Sequence, residues 1–490
     1  MLDLVIKHVR VVRPREPEVA LLDVGVKDGR FARIAPEIPA AEARETLDAR
    51  HLLGFPGVVD AHTHVGIYAP LPEDAVTEST AAITGGVTTM LTYFRTGQYY
   101  LNKGGPYREF FPEVLRLSEG RYRCDYAYHL APIQGSHVDE MEFLATEHGV
   151  PSFKIFMFYG GHGLHGTADP DAQRRFLLLD PDDRYDLAHF EFVMRAAARL
   201  RERRPDLADA VSVSLHCEMA DILNAYTRLV QRDAGLAGLR AYSAARPPHA
   251  EGLAVWVAAY LAHETGCRNI NLLHLSSRKA IEAALLAAQI FPHIDFRREV
   301  TVGHLLLDCD SAPGSWAKVN PPIRPREDVE RLWQAVLEGR VDWIVSDHAC
   351  CARELKVAAA RPDDIWLTKS GFGGTEYLLA GVFSEGGRRG LALHRMAELL
   401  AWNPARRFGL THKGDIAVGY DADLALLDPA RPFTVRAAES PSGQGYSPFE
   451  GQELTGQVQA TFLRGRLVYE RGRILGPPLG RYIKRPSREA

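Results

Sequence analysis

From residue 4 to 12, and again from 23 to 35, apolar and polar residues alternate, the period-two pattern of strands with one buried face. Asp28-Gly29 between the two halves of the second stretch supplies the residues that a tight hairpin turn requires. After Phe55 the rhythm changes to short apolar runs separated by stretches with helical periodicity, the pattern of βα units around a parallel sheet. Eight such runs can be read: FPGVVD at 55, GVTTMLTYF at 86, CDYAYHLAP at 124, SFKIFMFY at 152, VSVSLHCE at 211, INLLHLSS at 270, EVTVGHLLL at 299 and VDWIVSDH at 341. They predict a (β/α)8 barrel.

Beyond Asn403 short strands return, as in DADLALLD at 421 and ATFLRGRLVYERGRI at 460, with a turn at Arg464-Gly465. The strand-rich head and tail are expected to pair. The predicted fold is therefore α/β, a TIM barrel with a small β-sandwich domain built from both termini. Its expected parts are 1–54 and 413–478 for the sandwich, 55–412 for the barrel and 479–490 for a tail. The polar end GRYIKRPSREA is expected to fray or to dock on a neighbouring subunit. Between the fourth and fifth runs, GGHGLHGTADPDAQ precedes a helical stretch at 190–204 and is expected to act as a lid, since long loops in compact domains are often functional.

Composition narrows the class of protein. A chain of 490 residues exceeds what one core usually serves, which fits one large domain with a smaller one. A hydrophobic fraction of 46%, a charged fraction of 24% and a net charge of −4 give no field suited to polyanions, so nucleic acid is not an expected partner. The six cysteines are scattered without a CxxC pair, which suits reduced thiols. No signal-peptide pattern opens the chain, and no run approaches the roughly 20 apolar residues of a membrane span, so a cytoplasmic protein is expected.

The chemistry sits at the ends of the runs. The first closes in Asp60-Ala61-His62-Thr63-His64, whose two imidazoles share one face by strand alternation. Barrel active sites lie at the C-terminal ends of strands. His216 ends the fifth run, His274 the sixth and Asp347 the eighth, and four imidazoles with a carboxylate on one rim suit zinc or a similar divalent ion. Lys154 lies inside the apolar run of the fourth. A buried lysine loses its proton readily and becomes a nucleophile, so it is expected to capture carbon dioxide as a carbamate whose two oxygens suit a bridge between metals.

The HTH pair, SFKIFMFY, the two later histidines and SDH, in this order, resemble the hydantoinase and dihydropyrimidinase group of cyclic amidohydrolases. GGVTTML, KVNPPIR at 318, NPARRFGL at 403 and KGDIAVGYDADLALLDP at 413 extend the resemblance over nearly the whole chain. The resemblance implies a binuclear site in which His62, His64 and Asp347 hold one metal, His216 and His274 the other, and carboxylated Lys154 bridges them. Zinc is the expected metal, with manganese or cobalt open. The implied reaction is hydrolysis of a cyclic amide in a hydantoin or dihydropyrimidine-like ring. Two metals sharing a water lower its pKa, Asp347 serves as general base and then acid, and Tyr159 stabilises the oxyanion. Asn320 is placed to hold the ring amide, with a turn residue ahead of Pro321-Pro322 as the equal alternative. A homotetramer or dimer is also implied.

Departures from that pattern keep other readings open. Dihydroorotases usually follow the HxH pair with an arginine, whereas Val65-Gly66-Ile67 follows it here. SDHACCARELK at 346–356 resembles the corresponding allantoinase loop, which makes allantoinase the alternative activity. Ser370 stands in the ring-binding stretch where the group commonly has asparagine. His162 and His165 are expected to be solvated loop histidines. A non-catalytic assembly protein of this fold, or a mononuclear deaminase without the bridging lysine, represents a different class of function.

Overall fold

A computed structural model describes residues 1–165, 176–233 and 235–487. Five strands open the chain: β1 (Leu2–Arg13), β2 (Glu16–Lys27), β3 (Arg30–Ala35), β4 (Ala43–Asp48) and β5 (Leu53–Pro56). The β2–β3 turn has Asp28 at φ 51° and Gly29 at φ 79°, both left-handed, as the hairpin chemistry anticipates.

The barrel follows with β6 (Val58–Thr63), β7 (Val87–Phe94), β8 (Asp125–Leu130), β9 (Ser152–Phe156), β10 (Ser212–His216), β11 (Asn269–Leu272), β12 (Asp295–Thr301) and β13 (Trp343–Val345). They pair in sequence order as eight parallel strands, one for each apolar run. A bridge between Thr63 and His348 joins the two ends. At the base, Phe408 packs on Trp343 and His129 within a cluster that includes Val59, Leu91 and Val345. This leaves the opposite rim, where the strands end, as the open side.

The chain finishes with β14 (Leu424–Thr434), β15 (Glu453–Leu463), β16 (Arg466–Glu470) and β17 (Arg473–Ile474). Head and tail form one nine-stranded sheet, in which β5 is the seam: it runs parallel to β1 on one side and antiparallel to β14 on the other. The expected sandwich is thus a continuous sheet around one apolar cluster that includes Val9, Val24, Leu424 and Phe462.

Two buried polar features tie this sheet to the barrel. Lys413 Nζ lies 2.6 Å from Asp125 of β8, 3.0 Å from Asp421 and 2.7 Å from Asp423. Replacing Lys413 with alanine leaves Asp125 with Arg464 as its one cation among the described residues and takes the ammonium from buried Asp423, at a cost of about 3–5 kcal/mol. The expected outcome is a lower thermal midpoint in scanning calorimetry; an unchanged midpoint contradicts this reading.

The second feature corrects the expectation for the tail. β8 and β9 pair at Leu130 and Phe153 alone, and below that point residues 481–485 enter between them. Tyr126 N–H donates to the Arg481 carbonyl at 3.0 Å, Ile483 N–H to the Tyr126 carbonyl at 2.8 Å and Arg485 N–H to the Gly149 carbonyl at 2.9 Å. The Arg485 guanidinium is buried against the Tyr128 carbonyl. The tail is polar because its donors satisfy open barrel carbonyls rather than water. Among the described residues no helix is long and apolar enough to cross a membrane.

Candidate metal centre and active site

His62 and His64 end β6 with ring centroids 5.2 Å apart, beside a register shift between Asp60 and Thr63 of the β6–β7 pairing. Such bulges re-aim side chains next to functional sites. His62 Nδ1 lies 2.7 Å from Glu299 Oε1, and that carboxylate also accepts from His274 N–H at 3.1 Å and from Trp343 Nε1 at 2.9 Å. Burial pushes Glu299 up to about 8; in its ionised form it accepts the His62 Nδ1 proton, which leaves His62 Nε2 as a lone pair.

That lone pair faces Asp347 Oδ1 at 3.2 Å and Lys154 Nζ at 3.5 Å. His64 repeats the arrangement: Nδ1 lies 2.8 Å from the Tyr100 hydroxyl, and Nε2 lies 3.2 Å from the same Asp347 oxygen. Burial pushes both histidines below their usual pKa, His62 well below it, so both are neutral. Neutral imidazoles and a carboxylate converging on one point, each imidazole held from behind at its other nitrogen, are the surroundings in which histidines bind metals. This donor set fits a metal ion, and it draws on three of the positions that sequence reasoning selected.

The remaining ligand candidates adjoin it. The His216 and His274 rings are 4.3 Å apart, and His274 is 5.3 Å from His62. His216 Nε2 is held by Glu218 at 2.6 Å, and Glu218 in turn accepts from Nε and Nη2 of buried Arg246. His274 Nδ1 is buried with no hydrogen-bond partner among the described residues, an orphaned ring nitrogen on the same rim. Outer partners that fix one ring nitrogen so that the other is aimed are the usual surroundings of metal-binding histidines.

His274, at φ 34°, and Asp347, at φ 54°, both take left-handed backbone conformations just past the ends of β11 and β13. Such strain costs about 1–3 kcal/mol at each non-glycine residue and persists where function demands the geometry. Lys154 is fully buried between the rings of Tyr93, at 4.2 Å, and Phe156, at 4.7 Å, and burial pulls its amine down to about 7. A substantial neutral fraction at neutral pH is what carbamate formation needs.

The cleft over these groups is lined by Tyr68, Tyr100, Phe158, Tyr159, Leu164, Asn320 and Ser370 among others. Tyr159 is buried, stacked on Phe156, tilted against Phe158 and edge-on to Phe176. Asn320 is brought to the cleft, but its side chain is spent on structure: Oδ1 accepts from the Tyr242 hydroxyl at 2.5 Å, and Nδ2 donates to the Leu164 carbonyl at 2.7 Å. The Ser370 carbonyl accepts from the Tyr68 hydroxyl at 2.6 Å. This wall is braced from behind by two buried lysines. Lys318 Nζ donates to the carbonyls of His165, Ile365 and Thr368 at 2.8, 2.7 and 2.8 Å. Lys356 Nζ donates to Lys318 O at 2.9 Å and to Gly371 O at 2.6 Å.

Two expectations for the 160s segment need correction or stand outside the description. His162 is buried, with Nδ1 2.8 Å from Asn224 Oδ1, and burial pulls it down to about 3. His165 is half-buried, accepting from Ser370 N–H at 3.2 Å and lying 3.1 Å from the Tyr99 hydroxyl. Neither is a solvated loop histidine, because the segment folds down with Leu164 over the cleft. The lid expected at 160–173 extends into 166–175, which lies outside the described residues.

Sequence reasoning missed Glu299, Glu218, Arg246 and Tyr100. Glu299 carried a legible signal, a charge inside an apolar strand run, the same signal that marked Lys154.

Comparison with known proteins agrees with this geometry. The model of the amidohydrolase family matches residues 269–468. An allantoinase of Rubrobacter xylanophilus is 36% identical over 490 residues, covering 99% of this chain and 98% of the relative. An allantoinase of Solibacter usitatus is 33% identical over 461 residues, 93% of this chain and 92% of its own. The solved L-hydantoinase (dihydropyrimidinase) of Arthrobacter aurescens superposes with a TM-score of 0.84 at 27% identity, over 98% of this chain and 99% of that one. The chain belongs to the amidohydrolase family, as a cyclic amide hydrolase.

Proposed function

We propose that this chain opens a cyclic ureide ring by hydrolysing an amide bond, with allantoin as its leading substrate. The observation that carries this reading is the convergence of His62, His64 and Asp347 beside Lys154, a donor set suited to cations at the mouth of the barrel. His62, His64 and Asp347 would hold one divalent ion and His216 and His274 a second, with Lys154 carboxylated between them. Zinc suits these donors, and manganese or cobalt would be accepted by the same set. Bound there, the ions would supply a water of lowered pKa and polarise the ring carbonyl.

The protein's own groups do the rest. Asp347 takes the proton of the attacking water and returns it to the ring nitrogen as the C–N bond breaks. Tyr159 donates a hydrogen bond through its phenolic O–H to the carbonyl oxygen as that oxygen gains charge, an interaction worth more in the transition state than in the flat ground state. Burial supports this role by pushing the phenol above its usual pKa, so that it stays protonated. The products are a carboxylate and a freed ureido nitrogen. Tyr159→Phe is expected to lower kcat about 100- to 1,000-fold with little change in KM; steady-state kinetics showing a KM effect alone would contradict the assignment.

Allantoin leads because the relatives aligned end to end with this chain carry that name and because Lys356, in the allantoinase-like loop, braces the substrate wall. The second reading, a hydantoin or dihydropyrimidine ring, is favoured by Tyr159 and its register with Lys154. Metal-loaded enzyme offered allantoin, hydantoin and dihydrouracil, with the ring carbonyl followed by carbon-13 NMR, separates the two. A preference for allantoin of about tenfold or more in kcat/KM, equivalent to about 1.4 kcal/mol, supports the first reading. A preference for hydantoin or dihydrouracil supports the second, and failure to open any of the rings overturns both.

A further inference from the structure

Arg95 follows β7 directly and is fully buried, yet among the described residues no carboxylate lies within ion-pair distance of it. Its Nη1 donates to the Thr96 carbonyl at 2.9 Å, while Nε and Nη2 meet no acceptor among the described residues. Three rings surround it: Tyr100 with its centroid 5.1 Å from Cζ, Tyr159 at 5.5 Å and Phe176 at 5.0 Å. The backbone makes room for the guanidinium at Gly97. There φ is +105°, and a Cβ would fall 2.8 Å from Arg95 Nη1 and 2.5 Å from the Phe176 carbonyl oxygen.

A buried cation without an anion is destabilising, and aromatic faces return only part of the lost hydration. Packing alone would be served as well by an apolar side chain. What the cation faces is informative. Tyr159 and Tyr100 both line the cleft, and the Tyr100 hydroxyl touches His64. The negative charge missing among the described residues around the arginine is the one that hydrolysis creates when the ring carbonyl becomes an oxyanion. In a dry site a fixed charge placed for that moment acts strongly and needs no reorganisation.

We propose that Arg95 is a positioning residue of the ring-opening reaction: its buried cation, shared by the rings of Tyr100 and Tyr159, strengthens the hydrogen bond that Tyr159 gives to the oxygen gaining charge. This rests on the role of Tyr159 proposed above. The Arg95 cation also opposes the upward push of burial on that phenol, in the direction the proposal needs.

The test uses metal-loaded full-length enzyme as wild type, Arg95→Met, Arg95→Lys, Tyr159→Phe and the Arg95→Met/Tyr159→Phe double variant. Arg95→Met is expected to lower kcat about 10- to 100-fold with KM within about threefold of wild type, and Arg95→Lys to restore most of the loss. In the Tyr159→Phe background the same Met substitution should cost about twofold or less, since residues acting as a unit are not additive. The thermal midpoint of Arg95→Met should equal or exceed that of wild type, because an uncompensated charge has been removed.

Equal losses in both backgrounds overturn the proposal. So does a midpoint lowered by several degrees, or a Met variant that does not fold, because either makes Arg95 structural. The midpoint is read without substrate. If no cyclic amide is opened by wild type, the functional reading fails while the stability arm still decides whether Arg95 is structural.

Discussion

Asp347→Asn is expected to reduce kcat about 100- to 10,000-fold, the range spanned by a positioned general acid-base group. The substitution is unusually clean at this position. Asp347 sits at φ 54°, and asparagine is one of the few residues that adopts the left-handed region readily, so the backbone turn survives. The amide keeps an oxygen to face His62 and His64, each 3.2 Å away in the wild-type site, but it cannot take a proton from water. Kinetics at saturating substrate, with metal content measured on the same sample, separate the two duties of the side chain. A variant that retains metal and most of its kcat would remove Asp347 from proton transfer.

The second large effect is expected at Lys154. Lys154→Ala should lose both bound metal and measurable ring opening, and Lys154→Arg should fare no better. Arginine keeps a cation in the pocket between Tyr93 and Phe156 but never presents a neutral amine to carbon dioxide. The pair of variants therefore separates two roles for a buried lysine. If the positive charge itself did the work, arginine would preserve much of the activity; if a carbamate does it, both variants fail together. Metal analysis and initial rates on both variants read the difference, and an active Lys154→Arg enzyme would sink the bridging role.

The barrel was legible because each of its eight strands overlaps one apolar run, and the C-terminal ends of such strands are where a TIM barrel keeps its chemistry. His62 and His64 stood out through spacing along a single strand. Lys154 stood out as a charge in an apolar run. Glu299 offered the same signal, but its meaning depends on His62, which lies 237 positions away and meets it only across the barrel.

Pairings of that range are set by tertiary packing and leave no local pattern. The same holds for the tail, whose polar composition reads as solvent-seeking until the open carbonyls of Tyr126 and Gly149 are seen to receive it. It holds also for His162, whose burial follows from the fold of its segment over the cleft rather than from its glycine-rich neighbours. Arg95 was hidden for a related reason, since a lone arginine after a strand is ordinarily exposed. Only the three rings gathered around it from separate segments make it unusual.

Native mass spectrometry with elemental analysis reads the proposed two-ion site and its carboxylated lysine in one experiment. Wild-type enzyme prepared with zinc and bicarbonate is predicted to carry about two ions per chain, together with the added mass of one carbon dioxide that disappears in Lys154→Ala. Wild-type enzyme with no bound metal under these conditions would contradict the account.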